Sequence, residues 1–216
     1  VAIALGLYYR VPLGPLVCPS ELYDSADGTC DNFDSQNAGA NSPPLELYDE
    51  YSGDGFLDKW DFMTFDDPTH GTVNYVTRED AAASNLTYYD SATGLWYLKA
   101  DATNKVASGS RGRDSVRIQS KERFRHGLFV FDSYHMPTGC GVWPAFWMYE
   151  DPWPEMGEID IIEGIHKETH NSAALHTTDG CTMERVPTDS FHGRWNIAPS
   201  SRPAHNCDVN AGGQGP

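Results

Sequence analysis

The chain has few basic residues: 15 lysines and arginines stand against 31 aspartates and glutamates, which gives a formal net charge of −16 at pH 7. Nucleic acids and anionic membranes carry the same sign of charge and are therefore poor partners. A neutral polymer such as a polysaccharide is not repelled. Aromatic residues make up 12% of the chain, and their flat rings can either stack on sugar faces or fill a β core.

Long segments with helical periodicity are also absent, so the sequence offers no helices to connect parallel strands. Short runs rich in β-branched and aromatic residues recur instead between clusters of Gly, Pro and Asp. This spacing predicts an all-β fold, an antiparallel jelly-roll β-sandwich. The expected strands are 72–77, 95–98, 116–120, 127–134, 143–149, 158–163 and 171–177.

Several catalytic motifs are missing. The sequence contains no GxGxxG, no GKS or GKT phosphate loop and no GxSxG elbow, so hydride transfer, phosphoryl transfer and serine hydrolysis lack support. His166 and His170, in HKETH, have the spacing of helical zinc ligands. The glutamate of HExxH is absent and no helix is predicted there, so we expect a solvated loop and no metal site.

No apolar run reaches the roughly 20 residues that a membrane-spanning helix needs. The chain opens with VAIALGLYYRV, and we interpret residues 1–11 as the end of either a signal peptide or a membrane anchor, which would tether the protein. Residues 12–44 are rich in Pro, Ser, Asp and Gly, a composition typical of a stem or linker. A globular domain is then expected over residues 45–216.

The cysteines and the N-glycosylation sequon at Asn85 are typical of a protein exported through an oxidising compartment. We therefore expect it to be secreted or held on the extracellular face of the membrane. Cys18 and Cys30 are close enough in sequence to staple the linker locally. An odd number leaves one cysteine without a partner in this sequence. The cysteines are Cys18, Cys30, Cys140, Cys181 and Cys207.

The stretch GEIDIIEG packs three carboxylates into six residues between apolar neighbours. In a strand, Glu158 and Asp160 share one face, whereas Glu163 is out of phase with them. One extra residue, a β-bulge around Ile161 and Ile162, would return Glu163 to the same face. We therefore predict a bulged strand that presents all three acids on one surface.

Paired carboxylates suit glycoside hydrolysis. A retaining glycosidase needs a nucleophile and an acid/base whose carboxyl groups lie about 5 to 5.5 Å apart. The Cα atoms of Glu158 and Glu163 would lie roughly 13 Å apart on a straight strand, so long side chains and a concave sheet must close the distance. Asp160, between them, would help to keep Glu163 protonated as the acid. The alternative is a solvated strand face whose acids point outward.

Aromatic residues surround this stretch. The run WPAFWMY places alternate residues, Trp143 and Trp147 among them, on one strand face, which fits either a ladder for sugar rings or a sandwich core. Trp153 lies in the loop before the acidic strand, where we expect it to be exposed to substrate. If the next strand forms a meander with the acidic one, His176 lies beside it and either bonds the acid/base or a sugar hydroxyl, or is purely structural.

Four segments occur in a characteristic order. They are YSGDGFLDKWDFMTFDDPTHGTVNYV at 51–76, HMPTGCGVWPAFWM at 135–148, GEIDIIEG at 157–164 and LHTTDGCTM at 175–183. Together they resemble glycoside hydrolase family 16, and within it the fungal laminarinase-like endo-1,3(4)-β-glucanases, over about residues 45–209. The resemblance implies a concanavalin-A-like jelly roll whose concave face carries a glucan-binding cleft, and hydrolysis with retention of configuration.

By matched position, the resemblance implies that Glu158 is the nucleophile, Glu163 the acid/base and Asp160 the assisting carboxylate. The positions that match the family's sugar subsites are Trp143, Trp147 and His176. The chemistry needs no cofactor. A structural calcium is known in the family, but no ligand set for it is identified in this sequence.

The sequence departs from the family at its end. Members usually continue beyond the segment that matches NCDVNAGGQGP, so we expect this jelly roll to lack its C-terminal strands. Residues 184–203 match the family poorly. Cys181 and Cys207 are expected to pair, which leaves Cys140 without a partner.

The expected partner is a β-glucan polysaccharide, and we expect a monomer. Two alternatives to a hydrolase stay open. One is a β-glucan-binding jelly roll without activity, because a fold does not determine a function. The other is a cell-wall transglycosylase, which uses the same intermediate with an acceptor sugar in place of water.

Overall fold

The computed structural model describes residues 47–125, 127–187, 189–196 and 203–211, together with the backbone of three strands nearer the start of the chain. Strands dominate these residues, so the predicted all-β class is confirmed. One short helix, α1 (Arg78–Ala83), and a 3₁₀ turn at Phe56–Lys59 are the helical elements of this part. The strands are β1 (Ala2–Tyr9), β2 (Tyr23–Asp24), β3 (Thr29–Cys30), β4 (Trp60–Phe62), β5 (Val73–Tyr75), β6 (Thr87–Asp90), β7 (Leu95–Leu98), β8 (Arg113–Ser115), β9 (Arg117–Phe124), β10 (Trp143–Tyr149), β11 (Glu158–Glu163) and β12 (Ser172–His176).

The chain divides into two compact units. One comprises Val1–Arg10 and Ser52–Pro216, and the other comprises Val11–Tyr51. In the second unit, β2 and β3 pair as a short antiparallel ladder. Within the described residues, no helix has the length and apolarity needed to cross a membrane.

A six-stranded sheet forms the body of the first unit, in the order β12, β11, β10, β1, β9, β4. The strands β10, β11 and β12 form the antiparallel meander that the sequence predicts. The backbone of β1 lies between β10 and β9 and runs parallel to both. The interpretation of residues 1–11 as the end of a signal peptide or anchor stays a prediction.

Alternation along β9 and β10 separates a core face from a polar face. Ile118 is 1% exposed and lies on the core side with Phe146 and Met148. Arg117 and Gln119 occupy the alternate positions of β9, and because successive side chains in a strand point to opposite faces, they lie on the other side. This second face is the one that carries the acids of β11.

Three predicted strands match their observed bounds, and one prediction is wrong. Residues 95–98, 143–149 and 158–163 form strands as expected. Residues 127–134 form no strand, although they are rich in the aromatic and β-branched residues typical of strands. Phe131 stacks on Phe146 at 4.3 Å, but the segment has no ladder partner among the described residues, and hydrogen bonds to a neighbour are what define a strand. Its exposed side chains include Leu128, Val130 and Tyr134.

Gly112 lies against the start of β5 in a conformation that only glycine adopts freely. Its φ is +147°, and a Cβ built there would lie 2.2 Å from the carbonyl carbon of Thr72. Gly109, in the preceding turn, has a φ of +79° but open space around it. A side chain at Gly112 would therefore meet both backbone strain and steric overlap, whereas one at Gly109 would meet backbone strain alone.

We expect Gly112→Ala to lower the free energy of unfolding by about 2 to 4 kcal/mol, because strain and overlap add. Gly109→Ala should lower it by only about 1 to 2 kcal/mol, from strain alone. Urea denaturation of both variants measures the difference. Equal losses would show that the contact with Thr72 is not tight.

Candidate active site

The acidic strand β11 contains the predicted bulge. Asp160 and Ile162 face two consecutive residues of β10, so Ile161 is the extra residue. The ladder to β12 shows the same shift between Asp160 and Glu163. The bulge prediction is therefore confirmed, and it returns Glu163 to the phase of Glu158.

Glu158, Asp160 and His176 form a tight cluster at one end of β11. Each contributes an oxygen or nitrogen atom, and these atoms lie within 4.8 Å of one another. His176 faces Glu158 directly across the ladder between β11 and β12. The side chain of Asp160 is 5% exposed, and its Oδ2 lies 3.1 Å from Nε2 of His176. That contact is an ion pair when the imidazole is protonated.

Burial and crowding raise the pKa values of both glutamates. Burial, followed by the negative charge of Asp160, raises the pKa of Glu158 to about 7. The same two causes, in the same order, raise the pKa of Glu163. A buried carboxylate beside another carboxylate resists ionisation, so the cluster holds protons at a pH where exposed glutamates have lost theirs.

His176 is the basic side chain of the cluster. Its contact with Asp160 raises its pKa, against the opposing effect of burial, and the charge of Glu158 adds to the increase. From the sequence, we expected His176 either to contact the acid/base or a sugar hydroxyl, or to be purely structural. The structure places its ring on Asp160, the middle acid, and contact with a sugar stays a prediction.

Two indole N–H groups point at the two glutamates. Nε1 of Trp143 donates to Oε1 of Glu163 at 2.9 Å, and Nε1 of Trp153 donates to Oε2 of Glu158 at 2.5 Å. Each bond favours the ionised carboxylate and so opposes the rise in its pKa. The sequence analysis expected these rings to bind sugars and missed their hydrogen bonds. The signal was the indole itself, whose N–H needs an acceptor when it is partly buried.

A tight turn before β11 brings Trp153 to Glu158. Met156 and Gly157 donate backbone hydrogen bonds to the carbonyls of Pro152 and Pro154. The φ of Gly157 is +84°, in the left-handed region that favours glycine. The indole of Trp153 is still 48% exposed, so one part of it holds Glu158 while the rest faces solvent, as we expected.

Trp147 lies on the same face but is buried. It is 9% exposed and its ring stacks on Tyr149 with centroids 4.6 Å apart. Ala145 packs against this pair, so the alternation predicted along β10 is confirmed. Trp147 therefore packs against its neighbours on this face of the sheet. Its match to a sugar subsite stays a prediction.

The sequence analysis also missed an arginine enclosed by aromatic rings. The guanidinium carbon of Arg117 lies 4.9 Å from the ring centre of Trp147, 5.0 Å from that of Phe65 and 5.8 Å from that of Tyr75. Asp67 lies 4.0 Å away and also accepts a hydrogen bond from the hydroxyl of Tyr75. Cation–π contacts of this kind hold Trp147 in place from β9. Only the alternation in VRIQS signals that Arg117 faces this side.

Among the described residues, one group of side chains has the spacing of metal ligands. It consists of Glu158, Asp160 and His176. A cation there would have to displace the protons that Glu158 and His176 hold through their raised pKa values. His166 and His170 lie in a loop rather than a helix, as expected. Nδ1 of His166 accepts a hydrogen bond from the backbone of Gly141.

The candidate modification sites are separate from the acids and the histidine of this cluster. Asn85 is exposed in a turn with a φ of +55°. Cys181 and Cys207 are adjacent free thiols, and burial together with Cys181 raises the pKa of Cys207 to about 12. Cys18 lies outside the described residues, and of Cys30 only the backbone is described. Glycosylation and both disulfides stay predictions.

Residues 60–215 match the family described as "XgeA-like, catalytic GH16 domain". The chain belongs to glycoside hydrolase family 16. The GH16 match covers the acidic strand, both tryptophans that hold it, and His176.

Relatives in two fungi share this part of the sequence. A probable glycosidase of Schizosaccharomyces pombe is 46% identical over 140 residues, which cover 65% of this chain and 32% of the relative. An endo-1,3(4)-β-glucanase of Arthroderma benhamiae is 41% identical over 169 residues, which cover 78% of this chain and 34% of the relative. The GH16 chain thus spans about a third of the length of these relatives.

Solved structures of GH16 proteins confirm the jelly-roll fold. An elongating GH16 β-1,3-glucosyltransferase superposes with a TM-score of 0.67 at 40% identity, covering 76% of this chain and 52% of its own. Laminarinase 16A from Phanerochaete chrysosporium superposes with a TM-score of 0.61 at 37% identity, covering 79% of this chain and 53% of its own. The predicted jelly-roll sandwich is therefore the fold of this GH16 chain.

Asp160 should control the pKa values of both glutamates. Because its negative charge raises them, Asp160→Asn is expected to lower both. It should also lower the pKa of His176, which loses its partner. NMR titration of the side-chain carboxyl carbons and the imidazole measures all three without requiring activity. The control is Asp54→Asn, an exposed acid in another turn, and unchanged glutamate pKa values in Asp160→Asn would refute the coupling.

Proposed function

We propose that this chain carries the catalytic centre of an endo-acting, retaining β-glucan hydrolase that cleaves 1,3 linkages, 1,4 linkages or both. The observation that carries the proposal is the bulged strand, which gathers Glu158, Asp160 and Glu163 on one half-buried face with a donor at each glutamate. The names of the relatives support the substrate class. Laminarinase 16A was solved with β-glucans, 6-O-glucosyl-laminaritriose, in its donor and acceptor sites.

In the proposed first step, a carboxylate oxygen of Glu158 attacks the anomeric carbon. The glycosidic C–O bond breaks, and Glu163 passes its proton to the leaving oxygen. In the second step, water attacks the same carbon, loses a proton to Glu163 and releases the Glu158 carboxylate. Configuration is thereby retained, so ¹H NMR should show the β-anomer as the first product. The steps use carboxyl groups alone and need no cofactor.

The two glutamates need opposite protonation states in the proposed first step, although burial and Asp160 raise the pKa of both, that of Glu158 to about 7. The raised pKa of Glu163 keeps the proton that the leaving group requires. Glu158 must be ionised to attack, and its bond from Trp153 favours that form. The anomeric carbon lies next to the attacking oxygen of Glu158. Positive charge that develops on this carbon therefore stabilises the ionised form of Glu158 further.

Substrate contact is proposed at the rings that remain accessible. The exposed part of Trp153 offers an apolar face beside Glu158. A stacked aromatic ring contributes affinity without charge, which suits a neutral glucan. The net charge of −16 does not oppose such a substrate.

We expect Glu158→Gln to lower the release of reducing ends from mixed-linkage β-glucan by at least about 10³-fold, because the amide cannot act as the nucleophile. Glucan binding, measured by affinity electrophoresis, should change little. Glu155→Gln is the matched control, since Glu155 is an exposed acid in the adjoining turn. Retained turnover in Glu158→Gln would exclude this residue as nucleophile. Binding without turnover in the unmodified chain would favour the non-catalytic β-glucan-binding module.

A transglycosylase is the second candidate function. It is favoured by the similarity to the elongating GH16 β-1,3-glucosyltransferase at 40% identity. Hydrolysis and transfer share the glycosyl-enzyme intermediate and differ in whether water or a sugar hydroxyl attacks it.

Mass spectrometry of the products from a laminari-oligosaccharide of one length distinguishes the two functions. A hydrolase is expected to give only chains shorter than the substrate, because water is the acceptor. Chains longer than the substrate at early times would identify a transferase. Incubation with Glu158→Gln supplies the blank.

A further inference from the structure

The bulge in β11 interrupts the ladder to β12. Glu158, Ile159 and Asp160 pair in step with β12, and pairing resumes at Glu163, opposite Ser172. The backbone groups between these points cannot follow the regular pattern. Backbone groups that lose their ladder partners at a bulge bond to another group, and a nearby polar side chain can supply it.

The side chain of Asn171 supplies that partner. Its Nδ2 donates to the carbonyl of Ile161 at 2.9 Å, and its Oδ1 accepts from the backbone N–H of Glu163 at 3.1 Å. The carbonyl can only accept and the N–H can only donate, so the orientation of the amide is fixed. One planar amide thus takes the place of the missing peptide group.

We propose that Asn171 is a positioning residue that holds the bulge and thereby sets the direction of Glu163, an inference that rests on the proposed function. A slip by one residue in a strand turns every following side chain to the opposite face. Without this clamp, the two hydrogen bonds of the Asn171 amide, the N–H of Glu163 loses its acceptor, and only the ladder pairings with Ala145 and Ser172 hold the backbone there. The bond from Trp143 then holds the side chain alone, from β10.

The effect of Asn171 is selective along the strand. Glu158 lies at the far end of β11, paired in register with His176 and bonded by Trp153. These contacts do not involve Asn171. Loss of the clamp therefore impairs proton donation by Glu163 and leaves the nucleophile in place.

Three variants distinguish the effect of the Asn171 hydrogen bonds from that of any change in the same loop. Asn171→Ala removes both hydrogen bonds. Asn171→Asp keeps an acceptor for the N–H of Glu163 but places an oxygen against the carbonyl of Ile161. Lys167→Ala is the matched control, because Lys167 is exposed in the same loop.

Amide hydrogen exchange tests the clamp directly. In Asn171→Ala, the backbone N–H of Glu163 is expected to exchange at least about tenfold faster than in the unmodified chain, because it has lost its acceptor. The amides of Ile159 and Met148 should keep their rates. Asn171→Asp should lie between the two, and Lys167→Ala should match the unmodified chain. Unchanged exchange at Glu163 in Asn171→Ala would overturn the proposal.

Comparing substrates whose leaving groups do and do not need a proton tests whether loss of the clamp impairs proton donation by Glu163. A glucan leaving group needs a proton, whereas dinitrophenolate leaves without one. Asn171→Ala is therefore expected to lower kcat/KM on laminarin by at least about 10²-fold and on a dinitrophenyl β-laminaribioside by less than about tenfold. Equal losses on both substrates would mean a general structural role and would overturn the inference. If the unmodified chain cleaves neither substrate, the proposed function fails, and the exchange rates still decide whether Asn171 holds Glu163.

Discussion

The repulsion among three carboxylates that share one strand face is the constraint on which this site depends. Burying such charges is unfavourable unless each has a partner. Glu158 receives the indole N–H of Trp153, and Asp160 lies against His176. The third acid, Glu163, is held by the indole of a tryptophan on β10 and by the amide of an asparagine before β12. Every acid thus has a polar partner, and each partner comes from a different segment.

This requirement explains why the meander of β10, β11 and β12 forms the centre of the site. The acidic strand must have a neighbour on each side, because its donors approach from both. Trp147 extends the arrangement on the β10 side, since its ring is fixed by Tyr149 and by the guanidinium of Arg117 on β9. The three acids all lie on β11. The surface that carries them nevertheless depends on contacts with β9, β10 and β12.

Local patterns allowed much of this site to be predicted. The phase of side chains along a strand is a property of a few residues, so Glu163 required a bulge and the bulge is there. Contacts between distant segments carried weaker signals. The hydrogen bonds from Trp143 and Trp153 depend on ring orientation, and Arg117 lies 30 residues from Trp147 in sequence. The strand predicted over residues 127–134 was wrong because a run of aromatic and β-branched residues does not by itself supply a ladder partner.

The charge of the cluster also fits the chemistry that we propose. In the state that the proposed first step requires, with Glu163 and His176 protonated and Glu158 ionised, the cation of His176 offsets Asp160 and the negative charge of Glu158 is left over. That charge lies where positive charge develops on the sugar in an oxocarbenium-like transition state. If Asp160 lacked its histidine, the cluster would carry a second negative charge, and the resulting repulsion would draw a proton onto Glu158. The charge of His176 therefore opposes the rise in the pKa of Glu158 and favours the form that attacks.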